Sequence, residues 1–197
     1  MFLHLFSNGA YFIGEIHPPS SGQHHWILVA TDYFKKWIEA IPTKNDTHKF
    51  IINFLEGIIT IFGFPSRLVA DNATAFKATP LVNFCEDYGI QLTHSTTYYP
   101  QGIGLAKPSN KSLVRIITKL LEQSKKAWDS KLKFSLWADR VTIKESINTS
   151  PFKMFYGIDV VYPVQLGIPI DKFMQDREAE PNDMTRRIYQ IIEVQQK

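Results

Sequence analysis

The stretch RLVADNATAFKATPLVNFCEDYGIQLTHSTTYYPQGIGLAKPSNK, residues 67–111, decides the fold class. Residues 67–70 form a predicted strand, whose apolar run at residues 68–70 is typical of a buried strand, and this strand delivers Asp71 to a loop. The pair Thr79-Pro80 begins a predicted helix, and residues 91–94 form the next predicted strand. Strand, helix and strand in succession indicate an α/β chain with a mixed sheet.

Toward the amino terminus, we predict three earlier strands, at residues 11–16, 26–31 and 37–41. Three strands in succession favour an antiparallel meander. The run WILVAT is apolar throughout, so its strand is expected at the centre of the sheet. A helix that Asp46 or Thr47 can cap, and that Gly63 ends, is predicted between the meander and residue 67. The predicted sheet therefore has five strands.

Toward the carboxyl terminus, the sequence predicts helices at residues 108–123, 128–147 and 184–194. Thr149-Ser150-Pro151 ends the second of these helices. We expect one domain over residues 1–160, followed by an irregular linker and an amphipathic helix over residues 161–197.

Composition excludes several classes of protein. No apolar run approaches the ~20 residues of a membrane span. The start has no basic region and no cleavage site, so no signal peptide is predicted. Cys85 is the single cysteine, which excludes an intrachain disulfide and a cysteine-based zinc site, and the six histidines lack the ligand spacing of a zinc domain. The net charge of +3 is compatible with binding to nucleic acid.

Four blocks of sequence carry a family resemblance. VADNATAF and HSTTYYPQGIGLAKPSNKSL resemble the integrase catalytic core of gypsy-class long-terminal-repeat retrotransposons and, more distantly, retroviral integrases. The blocks FIGEIHPPSSGQHHWILVATDYFKKWIEAIP and WDSKLKFSLWADRVTIKESINTSPFKMFYG extend the likeness to about residues 11–169. The resemblance implies a ribonuclease-H-like fold, in which helices flank a mixed five-stranded sheet. It also implies DNA integration in the nucleus by an Asp, Asp and Glu trio that holds two Mg²⁺ or Mn²⁺ ions.

Only one of those three acids is present at the matching positions. The second acid matches Asp71, whereas Tyr11 occupies the position of the first and Lys107 that of the glutamate. A phenol with an ordinary pKa of about 10 is neutral near pH 7, and an ammonium group would bring positive charge where a cation must bind. We therefore expect no tightly bound Mg²⁺ or Mn²⁺, and we hypothesise that Lys107 pairs with Asp71. Pro108 disfavours helical geometry at Lys107, which makes lysine a poor choice at that helix start.

Asp32 is the other acid that a strand delivers to a loop. It follows the predicted central strand and could be a substitute metal ligand. Because aspartate is common in turns, we interpret it as a turn residue.

A basic stripe is predicted beside this site. Lys107, Lys111, Arg115 and Lys119 recur every four residues and share one face of the predicted helix. In the family this helix faces DNA, so we expect phosphate contacts, with a solvated helix face as the alternative. Tyr99 and Gln101 lie in the loop that would touch the substrate strand, or they belong to ordinary loop packing.

The sequence therefore predicts an integrase-like domain of retrotransposon origin that binds DNA, both element ends and target, and is catalytically defective. One alternative is an active metal-dependent polynucleotidyl transferase with substitute ligands. The other is a non-catalytic assembly module that forms a homodimer through its core helices. No interaction with a membrane is expected.

Overall fold

A computed structural model of the chain describes residues 7–94, 118 and 126–162. The chain divides into two compact units, Met1–Asp159 and Val160–Lys197. The helices predicted at residues 108–123 and 184–194 lie outside the described residues, apart from the helical Thr118. Among the described helices, none is long and apolar enough to span a bilayer.

Five strands in the described residues form one mixed sheet, in the order β3-β2-β1-β4-β5. The strands are β1 Ser7–Ile13, β2 Trp26–Asp32, β3 Ile38–Thr43, β4 Arg67–Ala70 and β5 Gln91–His94. The first three are antiparallel neighbours, whereas β4 pairs in parallel with both β1 and β5. The predicted meander and mixed five-stranded sheet are confirmed. The WILVAT strand, β2, is an interior strand but is not at the centre as predicted. β1 is at the centre, because it pairs with β4 and so connects the meander to the parallel half of the sheet.

The predicted bounds of the first strand, residues 11–16, are wrong. β1 begins at Ser7 and ends before Gly14, which places Tyr11 inside the strand. Gly14 has a φ of +152°, and a Cβ there would lie 2.6 Å from Trp26 Cε3 and 2.9 Å from the carbonyl oxygen of His25. At Gly14 the chain passes so close to Trp26 and the His25 backbone that only glycine fits, and the regular strand ends just before this residue.

Two hydrophobic clusters cover the two faces of the sheet, because neighbouring residues of a strand point to opposite faces. The helices α1 His48–Phe62 and α2 Thr79–Asp87 cover one face, and α3 Trp128–Val141 covers the other. The first cluster includes Leu28, Ala30, Ile51, Leu55, Leu68 and Leu81. The second cluster includes Ile27, Val29, Ile38, Trp128, Leu132 and Leu136. Thr47 precedes α1 as predicted, but its side chain makes no capping hydrogen bond.

The helix predicted for residues 128–147 is shorter in the structure. α3 ends at Val141, and Thr142 is already extended. Three consecutive β-branched residues, 141–143, lose side-chain freedom in a helix and favour this exit. Residues Glu145–Ile147 form a separate 3₁₀ turn, and α4 Pro151–Tyr156 follows. The Ser150 hydroxyl caps α4 by accepting a hydrogen bond from the backbone N–H of Lys153 at 3.1 Å.

Candidate active site at the ends of the central strands

The fold places Tyr11 in β1 and Asp71 directly after the adjacent strand, β4. Ala10 of β1 is paired with Ala70 of β4, so the next residue of each strand lies at the same level of the sheet. The backbone N–H of Asp71 donates to the carbonyl oxygen of Ala10 at 3.1 Å. The two positions are far apart in the sequence, and the resemblance placed them in one site. Pairing of β1 with β4 makes them neighbours across the sheet.

Backbone amides fix the carboxylate of Asp71. Its Oδ1 accepts a hydrogen bond from the N–H of Ala73 at 2.9 Å, and its Oδ2 accepts one from the N–H of Phe12 at 3.3 Å. The side chain is half-buried. A carboxylate has about four lone-pair positions, so these two bonds leave it able to accept from water or to ligate one cation.

The Tyr11 side chain is buried away from any such role. It packs against the hydrophobic cluster under α3, and its hydroxyl is fully buried. The hydroxyl of Thr31 is buried as well. Within the described residues, neither the Tyr11 nor the Thr31 hydroxyl has a hydrogen bond of normal geometry. Thr31 nevertheless lies near enough to the Tyr11 hydroxyl to lower its pKa. Burial raises the pKa of Tyr11 far above its usual value, and the charges of Tyr33 and Asp139 raise it further. Tyr11 is therefore a neutral phenol at physiological pH.

Two further polar side chains, those of Tyr33 and Asp139, lie near the Tyr11 hydroxyl. The Tyr33 hydroxyl occupies the space above Gly9, where an added Cβ would lie 2.1 Å from it. Asp139 of α3 is fully buried and forms an ion pair with Lys144. Sequence reasoning missed Asp139, although it follows Leu132 and Leu136 at helical spacing and so falls on the buried face of α3.

Asp32 is a turn residue, as interpreted from the sequence. Its Oδ1 accepts hydrogen bonds from the backbone N–H groups of Phe34 at 2.7 Å and Lys35 at 2.9 Å. The carboxylate therefore holds the turn between β2 and β3.

The remaining predicted site residues lie outside the described part of the chain. They are Lys107, Lys111, Arg115, Lys119, Tyr99 and Gln101. Their roles, and the pairing of Lys107 with Asp71, stay predictions.

A separate group of possible ligands lies in the β1–β2 connection. Across residues 7–94 and 126–162, three side chains of the metal-ligating types converge, and they are Glu15, His17 and His25 rather than Asp71. The sequence contained a signal for this group, because a single apolar residue separates Glu15 from His17. It was missed because His25 reaches them only through the hairpin.

Comparison with known proteins indicates the family. Residues 12–100 match the profile of the integrase core domain. The matched segment, just under half of the chain, is similar to an integrase core domain. The chain is 32% identical over 140 residues to the Gag-Pol polyprotein of avian reticuloendotheliosis virus, covering 71% of this chain and 12% of that protein. It is 33% identical over 145 residues to the Gag-Pol polyprotein of gibbon ape leukemia virus, covering 73% and 8%. The chain thus spans about a tenth of the length of these relatives.

Solved integrase structures share the fold. The integrase core aligns with the simian T-cell lymphotropic virus intasome bound to PP2A regulatory subunit B56 gamma, with a TM-score of 0.64 and 19% identity over 90% of this chain and 59% of that chain. It aligns with the catalytic core domain of HTLV-2 integrase in complex with magnesium, with a TM-score of 0.58 and 19% identity over 76% and 95%. These identities are low, so the likeness shows the fold alone. The ribonuclease-H-like fold implied by the sequence is confirmed.

Proposed function

We propose that this integrase core domain, of gypsy-class origin, binds DNA in the nucleus and has lost strand-transfer activity. One observation carries the proposal: the residue beside Asp71 on the central strand is a tyrosine whose phenol is buried and neutral. In the family that the sequence resembles, this position holds an aspartate, which binds two metal ions together with the acid that matches Asp71.

The described residues do not fit a two-metal site. Two Mg²⁺ ions need clustered carboxylates, because each ion is hard and prefers oxygen ligands that carry negative charge. Asp71 offers one carboxylate, and Tyr11 offers a neutral hydroxyl that lies under α3 near Thr31, Tyr33 and Asp139. A lysine at the third family position would oppose a bound cation as well. We therefore propose no metal-dependent step for this chain.

DNA binding rests on charge and on the domain family. The whole chain carries a net charge of +3. The basic stripe of Lys107, Lys111, Arg115 and Lys119 would neutralise phosphates whether or not the metal site is intact. The expected ligands are element ends and target DNA.

Salt-dependent binding to double-stranded DNA tests this part of the proposal. The unaltered chain should bind, and log K should fall linearly with log salt concentration. The double variant Lys111→Ala, Arg115→Ala should bind more weakly and lose roughly 2 in that slope, at about 0.9 per phosphate contact. The matched control Lys44→Ala, Lys49→Ala removes the same charge from exposed residues elsewhere. Equal losses in both double variants would exclude the basic stripe.

A strand-transfer assay with Mn²⁺ tests the loss of catalysis. The unaltered chain should yield no product. The double variant Tyr11→Asp, Lys107→Glu restores the acids and should regain measurable strand transfer, provided that circular dichroism shows it folded. Activity of the unaltered chain would contradict the proposal and favour substitute ligands.

A non-catalytic assembly module is the second candidate, and one observation favours it. Ile61 at the end of α1 is 72% exposed, and it is close in sequence to Phe64, whose exposed ring stacks on that of Tyr88. Exposed apolar side chains of this size are typical of protein contacts when they cluster. Sedimentation velocity of the unaltered chain and of Ile61→Glu tests it: a dimer that the substitution dissociates would support assembly through the core helices.

A further inference from the structure

The connection between β1 and β2 holds a carboxylate and two imidazoles close together. Glu15 and His17 flank the buried Ile16 just after β1, and His25 comes just before β2. The backbone N–H of Ile16 donates to the carbonyl oxygen of His25 at 2.7 Å, so the two arms of the hairpin are bonded at this level. One potential ligand atom from each of the three side chains lies within 4.8 Å of the other two.

The separations fit a tetrahedral zinc site. His17 Nε2 lies 3.6 Å from Glu15 Oε2, and His25 Nδ1 lies 3.5 Å from Glu15 Oε1. Ligands about 2.0–2.1 Å from a tetrahedral ion are roughly 3.3–3.4 Å apart. The two distances involve different oxygens of Glu15, so side-chain rotations are needed to bring one oxygen and two nitrogens, which already lie within 4.8 Å of one another, around a single ion. We propose that Glu15, His17 and His25 bind one zinc ion, with water completing its coordination.

The backbone preorganises this arrangement. Ile16 is 6% exposed and belongs to the cluster under α3, whereas Glu15 and His17 on either side of it are exposed. Gly14 lets the chain leave β1 in close contact with Trp26 and the His25 backbone, where a side chain would collide. The backbone N–H of His25 is bonded to the carbonyl oxygen of Thr43 at 3.0 Å. The ligands thus stand on a part of the hairpin that is anchored on both sides.

The donor set selects the class of metal. Two imidazoles and one carboxylate suit Zn²⁺ and other late first-row ions, whereas Mg²⁺ prefers oxygen ligands and retains its waters. The His17 and Glu15 side chains are 68% and 49% exposed, so an ion can reach the site from solvent and keep an open position. Zinc is expected to tie the two arms of the hairpin together. The site uses neither Tyr11 nor Asp71, and it is independent of the proposed loss of strand transfer.

Ion pairing is the alternative account of the same contacts. A protonated histidine could pair with Glu15 at these distances, but such exposed pairs contribute little. The two accounts differ in metal binding, because ion pairs alone give no stoichiometric affinity for zinc.

Titration calorimetry of the full, tag-free, metal-free chain tests the proposal. ZnCl₂ should bind with a stoichiometry of one per chain, and a tenfold excess of MgCl₂ should not compete. Co²⁺ should give the intense visible absorption of a tetrahedral site. His17→Ala and His25→Ala should each weaken zinc binding at least about tenfold, since even lost outer-shell partners cost 10–100-fold. Glu15→Gln should also weaken binding, and it nearly preserves shape.

His48→Ala is the matched control, because His48 begins α1 and lies outside the group. It should bind zinc as the unaltered chain does. Equal zinc affinity in the unaltered chain and in His25→Ala, or no saturable binding of zinc or Co²⁺ to the unaltered chain, would overturn the proposal. The Co²⁺ spectrum of the unaltered chain keeps the proposal testable even if an alanine variant fails to fold.

Discussion

The carboxylate of Asp71 accepts a hydrogen bond from the backbone N–H of Phe12, with 3.3 Å between Oδ2 and the nitrogen. This bond joins the residue that follows β4 to the carboxyl-terminal end of β1. It fixes the one matching acid of the integrase core beside position 11, so the residue at that position decides which chemistry is available. Here that residue is a tyrosine whose hydroxyl is turned into the protein interior.

Tyr11→Phe should leave the free energy of unfolding within about 1 kcal/mol of the unaltered value, or raise it. A buried hydroxyl without a hydrogen bond costs about 1–3 kcal/mol of desolvation, and phenylalanine removes it while keeping the ring. Urea denaturation measures the change. Tyr11→Ala is the contrast and should cost about 3–5 kcal/mol by opening a cavity. A loss above about 2 kcal/mol in Tyr11→Phe would mean that the hydroxyl has a strong partner.

Lys144→Ala should destabilise the fold by about 3–5 kcal/mol at pH 7. Lys144 forms an ion pair with Asp139, whose side chain is fully buried, and removal of one partner of a buried ion pair is strongly destabilising. Lys153→Ala provides the matched control, because its ion pair with Asp159 is solvent-exposed and should contribute less than about 1 kcal/mol. Similar losses in the two variants, by urea denaturation, would show that burial of the first pair has little effect.

Gly14→Ala should cost about 2 kcal/mol or more. The residue has a φ of +152°, and a Cβ there would collide with Trp26 and with the His25 backbone. Gly57→Ala is the opposite case. Gly57 lies inside α1 with open space around it, so alanine should stabilise by up to about 1 kcal/mol. Thermal denaturation of both variants should therefore shift the midpoint in opposite directions.

Asp129 should make stability depend on pH in the acid range. Burial raises the pKa of Asp129, but hydrogen bonds from Ser20, His24 and the Ser130 backbone lower it, and so does the charge of His24. The lowering effects outweigh the effect of burial, so the pKa lies below its ordinary value of 3.8. A depressed pKa stabilises the fold above the pKa of the unfolded chain, and this stabilisation is lost as pH falls through the folded value. The unaltered chain should therefore be more stable than Asp129→Asn at pH 6, and the difference should shrink below pH 4. A constant difference across this range, by urea denaturation, would contradict the assignment.

Much of the fold could be predicted because its strands are apolar and short. Residues 67–70 and 91–94 were predicted with the bounds that the structure has, since turn-forming residues flank both. The end of α3 was not predicted, because an apolar periodicity continues past Val141 although the backbone becomes extended at Thr142. Periodicity reports which side chains can share a face, and it does not report where the backbone leaves the helix.

The candidate active site could be predicted where it depends on positions that match the acids of the integrase family. The neighbourhood of Tyr11 and Asp71 followed from the resemblance, and parallel pairing of β1 with β4 produces it. The direction of the Tyr11 side chain did not follow, because it depends on packing against α3. The group of Glu15, His17 and His25 was missed, since its closure depends on Gly14 and on a hairpin bond between residues distant in sequence.

The outer strands of the sheet have a consequence for self-association. Within the described residues, β3 and β5 are the two edges. Pro42 in β3 has no N–H to donate, and β5 is only four residues long. Short or proline-containing edges resist the addition of a foreign strand, which is the first step toward fibrillar aggregates. An integrase core of this kind is therefore protected against edge-to-edge aggregation, and any contact with another chain is expected to use helices or loops.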